Sequence, residues 1–282
     1  MSAKIGAPTV EPPLRVRWWA LVILGIVAGF LSGLFGVGGG IIVVPALVLL
    51  GVDQRIAAGS SVAAILPTSI VGATGYAVTG HIDWIAAASL AGGMIVGAQI
   101  GSYLLSRVPR TALFWMFIAF MAVVAVSLWL VVPARDDTIS LSAWTISALV
   151  LVGVITGILS GLLGVGGGII VVPTLVFFFG ASDLIAKGTS LLMMIPGSLS
   201  ATIGNARRRN FDWRIAVFVG LAACAASPLG LITALSITPL ISNIAFSALM
   251  AFVAIQLVVK HVRARRAATK AMGGPASPTS AG

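Results

Sequence analysis

Two runs of glycine are the residues of this sequence whose type and spacing best suit binding chemistry. The stretch LSGLFGVGGGIIVVP begins at Leu31, and LSGLLGVGGGIIVVP begins at Leu159. Three consecutive glycines each weaken a helix by about 1 kcal/mol relative to alanine, so both stretches predict a break in an apolar helix. A short helix that starts after such a break presents unpaired N–H groups and partial positive charge, which together suit a small anion.

Two other interpretations of these stretches lead to different predictions. Glycines four residues apart are typical of helices that pack closely in lipid, and packing alone explains such a ridge before each run. The ridges are Gly25, Gly29 and Gly33, and Gly153, Gly157 and Gly161. A nucleotide-binding loop would need a preceding strand and a GK[ST] signature, and neither context is present. The consecutive glycines therefore predict irregular backbone that is buried in protein or faces a water-filled cavity.

Hydroxyl side chains recur at matching positions after each glycine run. The sequence AGSS begins at Ala58, and KGTS begins at Lys187. Hydroxyls in apolar helices often bond only to the preceding turn, and that interpretation stays open. The recurrence supports the alternative that they line a polar path. The predicted path residues are Ser60, Ser61, Thr189 and Ser190, with Gln99 and Asn205 as further uncharged candidates.

The positions of the titratable residues exclude several kinds of site. All seven acidic residues lie at the ends of apolar segments or in loops: Glu11, Asp53, Asp83, Asp136, Asp137, Asp183 and Asp212. A proton relay or cation site built on carboxylates inside the membrane is therefore not expected. The single cysteine, Cys224, excludes an intrachain disulfide and a cysteine-pair redox relay. We find no set of residues with metal-ligand or catalytic spacing, so the sequence predicts no metal, no cofactor and no enzyme.

The composition indicates that lipid is the solvent. Of 282 residues, 59% are hydrophobic and 9% are charged, whereas soluble domains carry about a quarter charged residues. Lys and Arg outnumber Asp and Glu by 17 to 7, but they lie at the ends of apolar runs and in clusters at 207–209 and 260–270. This distribution is typical of cytoplasmic loops that meet anionic lipid headgroups, and it does not favour nucleic-acid binding.

The glycine runs belong to a longer internal repeat. DQRIAAGSSVAAILPTS, from Asp53, matches DLIAKGTSLLMMIPGS, from Asp183, and GHIDW matches RNFDW. We therefore expect an all-α polytopic membrane protein of two homologous halves. The predicted divisions are a cytoplasmic N-terminal segment (1–17), a first membrane repeat (18–132), a linker (133–143), a second membrane repeat (144–260) and a basic, disordered cytoplasmic tail (261–282).

Each half offers five apolar segments. They cover about 18–35, 41–50, 56–78, 84–105 and 112–132, then about 144–163, 169–179, 184–203, 213–235 and 240–259. A hydrocarbon core of about 30 Å needs about 20 helical residues. The second segment of each half has only ten or eleven residues, so it is either re-entrant or part of a broken span.

An odd number of segments in each half predicts that the second half is inverted relative to the first. The positive-inside rule places both termini in the cytoplasm and the sequences GHID and PARDD outside, with only Lys187 and Arg135 as exceptions. Inverted repeats are a hallmark of secondary transporters, whose sites lie at the repeat interface near the membrane midplane. Lys187 on the outer side and Arg55 on the inner side either concentrate anions at an entrance or extend to the interface.

The paired motif GxGGGxxxVP, followed by a GS or GT pair, resembles the TauE/SafE sulfite-exporter family of membrane permeases over about residues 20–260. The resemblance implies a plasma-membrane permease for small, often sulfur-containing anions such as sulfite or sulfonates. The positions that match the family pattern are Gly36, Gly38, Gly39, Gly40, Pro45, Gly59, Ser60, Gly164, Gly166, Gly167, Gly168, Pro173, Gly188 and Thr189. Together with the neighbouring Ser61, Lys187 and Ser190, they form the predicted substrate site.

Three functions compete at this point. A small-anion transporter embedded in the bilayer is favoured, and an anion channel of the same fold differs from it in lacking saturation and substrate exchange. A membrane-embedded enzyme or redox protein is disfavoured because no catalytic set is present and one cysteine cannot cycle.

Overall fold

The computed structural model describes residues 17–127 and 142–272, and its regular elements within those ranges are ten helices. The first half contains α1 (Trp18–Phe35), α2 (Gly40–Leu49), α3 (Gln54–Val78), α4 (Trp84–Arg107) and α5 (Arg110–Ser127). The second contains α6 (Ala143–Leu163), α7 (Gly168–Phe179), α8 (Asp183–Arg207), α9 (Trp213–Ser236) and α10 (Pro239–Met272). No strand occurs in the described ranges, so the predicted all-α architecture is confirmed.

Helix length and composition fit a polytopic membrane protein. In the part of the chain that the structure describes, seven helices are long and apolar enough to cross a membrane. They are α1, α3, α4, α6, α8, α9 and residues 239–259 of α10. The helices α2 and α7 have 10 and 12 residues, as the apolar patterning predicted for the second segment of each half.

Two predicted boundaries differ from the structure. Helix α10 continues to Met272, so residues 261–272, predicted to be a disordered tail, are helical. The sequence there is rich in alanine, arginine and lysine, which are strong helix formers, so the helix extends beyond its apolar part. Ala143, placed in the linker, is already the first residue of α6. The remainder of the fifth segment and of the linker (128–141) and residues 273–282 lie outside the described residues.

The first helix of each half packs against the fourth helix of the other half. Helix α1 lies against α9, and α6 lies against α4. A Cβ atom on Gly25 would lie 2.5 Å from the carbonyl oxygen of Val219, and one on Gly33 would meet the carbonyl oxygen of Ser227. The contacts advance together along both chains, so α1 and α9 run parallel. The glycine ridge is therefore a packing surface that lets two helix backbones approach closely.

The same contact is repeated between α6 and α4. A Cβ atom on Gly153 would meet the carbonyl oxygen of Leu90, and one on Gly161 would lie 2.6 Å from that of Ala98. These two helices also run parallel.

The central helices α3 and α8 occupy the same place in their halves but run in opposite directions. Gly59, near the start of α3, lies beside Asn205 near the end of α8. Tyr76, near the end of α3, lies beside Gly188 near the start of α8. Equivalent helices of the two halves are thus antiparallel within one bundle.

The short helices α2 and α7 fold back toward the end of the bundle from which the preceding helix came. Helix α1 begins beside the start of α9, and α2 leads directly into α3. The first turns of α3 contact the loop before α9, because Gly59 lies against the carbonyl oxygen of Asn210. The start of α1 and the end of α2 therefore lie at the same end of the bundle. In the second half, Gly188 makes the equivalent contact with the carbonyl oxygen of His81. Of the two alternatives given for these short segments, a re-entrant helix or part of a broken span, the re-entrant helix describes both.

Candidate functional site

Each glycine run joins two helices through left-handed backbone. The φ angle is 69° at Gly36, which ends α1, and 74° at Gly39, which precedes α2. The equivalent values are 75° at Gly164 and 91° at Gly167. Residues with a Cβ atom rarely adopt these angles, so glycine is the residue that allows the chain to reverse here. We call residues 36–40 the first break and residues 164–168 the second break.

The two breaks touch each other at the centre of the protein. A Cβ atom on Gly40 would lie 2.5 Å from the carbonyl oxygen of Gly164, and one on Gly168 would meet the carbonyl oxygen of Gly36. Every residue of both breaks is buried. Irregular backbone inside a bilayer is stable where protein buries it or where it lines a water-filled cavity, and here each break helps to bury the other.

Free backbone donors remain where α2 and α7 begin. The N–H of Val43 bonds to the carbonyl of Gly39 at 3.3 Å, and that of Val171 bonds to Gly167 at 3.2 Å. The first two N–H groups of each helix have no hydrogen-bond partner among the described residues. These donors belong to Gly40, Ile41, Gly168 and Ile169. Both short helices thus direct unpaired N–H groups and the positive ends of their dipoles into the centre of the protein.

Apolar side chains fill the space between the breaks. Ile65 of α3 is the nearest neighbour that a Cβ atom on Gly166 would meet, at 2.7 Å. Met194, which is the counterpart of Ile65 in α8, lies 2.8 Å from the Cβ position of Gly38. Ile65 and Met194 therefore occupy the space next to both breaks in this conformation.

Two predicted path residues hold the breaks in place. The hydroxyl of Ser61 donates to the carbonyl oxygen of Gly164 at 2.8 Å. The hydroxyl of Ser190 lies 2.6 Å from the carbonyl oxygen of Gly36 and 2.7 Å from that of Lys187 in its own helix, so these two carbonyls share its single proton. Each serine thus reaches across to the break of the other half. These hydrogen bonds satisfy the carbonyl groups of Gly36 and Gly164, which have no helical N–H partner because the helix ends there.

The other two hydroxyls bind loops. Ser60 accepts a hydrogen bond from the N–H of Asp212 at 2.8 Å, and Thr189 accepts one from the N–H of Asp83 at 3.0 Å. Both aspartates cap the next helix, α9 or α4, with their side chains. Ser60 and Thr189, with the adjacent Gly59 and Gly188, therefore fasten α3 and α8 to the turns that precede α9 and α4. Binding of substrate by these residues stays a prediction.

Lys187 does not lie at an open entrance. Its side chain is only 2% exposed, and its ammonium group donates to the Asp183 carboxylate at 2.7 Å and to the Ser242 hydroxyl at 3.0 Å. Asp183 lies one helical turn earlier, so the two side chains meet on one face of α8. The expectation of an exposed charge that concentrates anions at the outer side is wrong for this conformation. The backbone of Lys187 packs against Gly36.

The remaining predicted residues lie further from the breaks. Pro45 and Pro173 lie inside α2 and α7. The side-chain amide of Gln99 donates to the carbonyl and hydroxyl oxygens of Ser200 at 2.6 and 2.9 Å, which joins α4 to α8. The amide of Asn205 is buried without a hydrogen-bond partner among the described residues.

Sequence reasoning missed Thr156 of α6. Its side chain is fully buried, and its methyl group lies 2.6 Å from the Cβ position of Gly167, immediately before α7. Its counterpart in the first half is Ala28. A comparison of the two repeats at positions where they differ, rather than where they agree, would have identified it.

A groove on the second half is lined by residues of α6 and α7 and by none of the second break. It has a volume of about 640 Å³ and runs between α6 and α7. Its lining is mostly apolar and includes Trp144, Ile155, Ile170 and Phe178. Ile155 and Ile170 are chain neighbours of Thr156 and of Ile169.

Comparison with known proteins identifies one matching family and several similar membrane proteins. The model of the family described as "Sulfite exporter TauE/SafE" matches residues 2–128 and 149–282. A "Probable membrane transporter protein" of Xylella fastidiosa (strain Temecula1) is 30% identical over 83% of this chain and 92% of its own length. "Probable membrane transporter protein YunE" of Bacillus subtilis is 26% identical over 70% of this chain and 81% of its own length. No solved structure matches the chain significantly.

Proposed function

The chain belongs to the TauE/SafE sulfite exporter family of membrane transporters, and we propose that it moves a small oxyanion such as sulfite or a sulfonate across the plasma membrane. It is a transporter and not an enzyme. The substrate in this proposal is bound near the membrane midplane, at the interface between the two halves.

The contact between the two breaks is the observation that carries this proposal. Two helix N-termini, with four unpaired N–H groups, point into one buried region. Such groups stabilise an oxyanion that has lost its water, and they offer a cation nothing in exchange for its hydration. The acidic residues in the described part of the chain all lie at or next to the start of a helix, and the buried one, Asp183, is paired with the ammonium group of Lys187. Charge selectivity for anions follows from this distribution.

The antiparallel arrangement of α3 and α8 supports an inverted topology for the two halves. One break then serves each side of the membrane, and a substrate held between them is released to either side by movement of one half against the other. Ile65 and Met194 pack against the breaks, so in such a cycle these two side chains must move before a substrate can enter.

Exposed arginines support the orientation with both termini in the cytoplasm. Arg17, Arg107, Arg207 and Arg214 lie at helix ends and are exposed. These helix ends lie at one end of the bundle, because α1 and α9 start together and the guanidinium of Arg208 lies over the ring of Tyr103 near the end of α4. A basic face of this kind fits the anionic inner leaflet of the plasma membrane.

Transport by purified protein in liposomes tests the proposal. We expect saturable uptake of sulfite, together with exchange of internal for external sulfite, and no uptake of rubidium ions or glycerol. Liposomes without protein are the control. Flux that neither saturates nor exchanges would identify a channel, and uptake of rubidium or glycerol without any anion would refute the proposed substrate class.

A further inference from the structure

We propose that the last turns of α4 and α8 form a binding site for the phosphate group of an anionic phospholipid. The guanidinium groups of Arg107 and Arg208 lie over the ring of Tyr103, with their carbons 4.6 and 5.6 Å from its centroid. We call these three residues the arginine–tyrosine cluster. Tyr103 is 42% exposed, so the cluster faces the surroundings of the protein, whereas both breaks are buried. The inference therefore goes beyond the proposed transport activity.

The guanidinium of Arg208 is fixed by the protein and still has donors to spare. Its Nη1 donates to the carbonyl oxygen of Gly204 at 2.8 Å and to the Ser102 hydroxyl at 3.2 Å. Its Nη2 and Nε groups have no hydrogen-bond partner among the described residues. A guanidinium has five N–H donors and binds phosphate with two parallel hydrogen bonds. Arg208 can therefore bind a phosphate group without losing its bonds to the protein.

The two positive charges of the cluster lack a negative partner. Neither Arg107 nor Arg208 forms an ion pair with a carboxylate in the described part of the chain. The acidic residues at this end of the bundle, Asp53 and Asp212, cap α3 and α9 with their side chains. Two like charges that contact one ring repel each other, and an anion bound between them turns that repulsion into attraction. One cation comes from each half, so such an anion also links the two halves.

Exposed apolar side chains lead from the cluster along both helices. They are 41–56% exposed and comprise Val96 and Ile100 on α4 and Leu199 and Ile203 on α8. The two helices are joined beside these residues, where the amide of Gln99 donates to Ser200. A site for phosphate at the helix ends, next to an apolar strip that can contact acyl chains, matches the form of a phospholipid. This strip is the reason to assign the phosphate to a lipid rather than to a soluble anion.

The opposite end of the bundle has the same helix packing without the cluster. The contact between α3 and α9 repeats that between α8 and α4. In the repeat, the counterparts of Tyr103, Arg107 and Arg208 are Ile232, Ser236 and Thr79. Packing of the helix ends therefore does not require the cluster. Anionic lipids give the cytoplasmic leaflet its negative surface potential, and the proposed orientation places the cluster in that leaflet.

Lipid binding to the full chain, purified in detergent, tests the inference. Native mass spectrometry at increasing phosphatidylglycerol concentration gives the Kd, with phosphatidylcholine as the comparison lipid. We expect saturable binding of phosphatidylglycerol and weaker binding of phosphatidylcholine. Arg107→Gln and Arg208→Gln should each raise the Kd for phosphatidylglycerol about tenfold or more, as loss of a hydrogen bond to a charged group predicts.

Matched controls separate a defined site from the net positive charge of this end of the bundle. Arg207→Gln and Arg214→Gln each remove one exposed charge there and should keep the wild-type Kd. Equal losses of affinity in all four variants, or equal affinity for the two lipids, would overturn the inference. Displacement of phosphatidylglycerol by inorganic phosphate at a similar concentration would identify a site for soluble anions and would overturn its assignment to a lipid.

The test stays decisive if one variant does not fold. Arg107 is exposed and makes no hydrogen bond through its side chain among the described residues, so Arg107→Gln should not disturb the fold. An unchanged Kd in that variant would by itself overturn the inference. Because binding is measured without transport, that result would leave the proposed function intact.

Discussion

Ser190 of α8 donates its hydroxyl hydrogen bond to the carbonyl oxygen of Gly36 at 2.6 Å, across 154 residues of sequence. The equivalent bond joins Ser61 to Gly164 at 2.8 Å. Each half of the protein therefore holds the glycine break of the other half in shape. A break that depends on the opposite half cannot be formed correctly until both halves are in place.

Removal of either serine hydroxyl should destabilise the protein. We expect Ser190→Ala and Ser61→Ala each to lower the free energy of unfolding by about 1–3 kcal/mol, because a buried carbonyl loses its donor. Thermal unfolding in detergent measures the change. If instead these variants keep the wild-type Tm while the KM for sulfite rises, the hydroxyls act on the substrate rather than on the fold.

Alanine at Gly39 should be far more harmful than alanine at a glycine with the same backbone angle elsewhere. Gly39→Ala adds strain at a φ of 74° and also places a methyl group 2.7 Å from the carbonyl oxygen of Ala28. Gly80 has a φ of 76° but no atom near its Cβ position, so Gly80→Ala isolates the strain, which is about 1–2 kcal/mol. The yield of monodisperse protein and its Tm compare the two.

At Gly167, an added methyl group meets side-chain tips rather than backbone. Gly167→Ala should therefore fold better than Gly39→Ala and still transport poorly. Equal yields for the two variants would contradict the difference in their surroundings.

Removal of one partner of the Lys187–Asp183 pair should destabilise the protein more than removal of both charges. Lys187→Met leaves the buried Asp183 carboxylate without its cation, and we expect a loss of about 3–5 kcal/mol in unfolding free energy. The double variant Lys187→Met/Asp183→Asn should recover most of that loss. Because the pair is buried, both losses should change little between low and high salt. A large salt effect would instead indicate an exposed charge.

The orientation of the bundle can be tested with cysteine labelling in a Cys224→Ala background. Thr79 and Ala206 are exposed and lie at opposite ends of the molecule. We expect a membrane-impermeant maleimide to label Thr79→Cys on intact cells and Ala206→Cys only after permeabilisation. The reverse pattern would invert the proposed orientation, and labelling of both from outside would contradict the antiparallel arrangement of α3 and α8.

Most of the helix pattern could be predicted from the sequence, because apolar runs and glycine breaks are local properties. The predicted starts and ends of the described segments lie within a few residues of the helices, apart from the extension of α10. The direction of α2 could not be predicted, since a segment of ten residues has the same composition whether it turns back or continues. The contact of Gly59 with Asn210 resolves it, and that contact joins distant parts of the chain.

The sequence predicted which residues form the two breaks, but it did not predict the contacts that depend on distant helices. The repeated motif identified the residues of both breaks, but it drew attention to identical positions and away from the pair Ala28 and Thr156. Lys187 was misplaced because its burial depends on Ser242 of α10, although Asp183 one turn earlier was a visible signal. The roles of Ser60 and Thr189 in fastening loops depend on α9 and α4, which lie far away in sequence.

The exchanged packing of α1 and α9 has a consequence for biosynthesis. Val219, which covers Gly25, follows it by 194 residues, so a ribosome working at about 5–20 residues per second needs about 10–40 s to supply the partner. During that interval the ridge of α1 faces lipid or the insertion machinery. A nascent chain stalled after the first half has no α9 to complete it, but a second copy of that half, inserted in the opposite direction, carries α4 with the matching surface. Two copies of the first half, inserted in opposite directions, would therefore cover each other's glycine ridges as the two halves do within one chain.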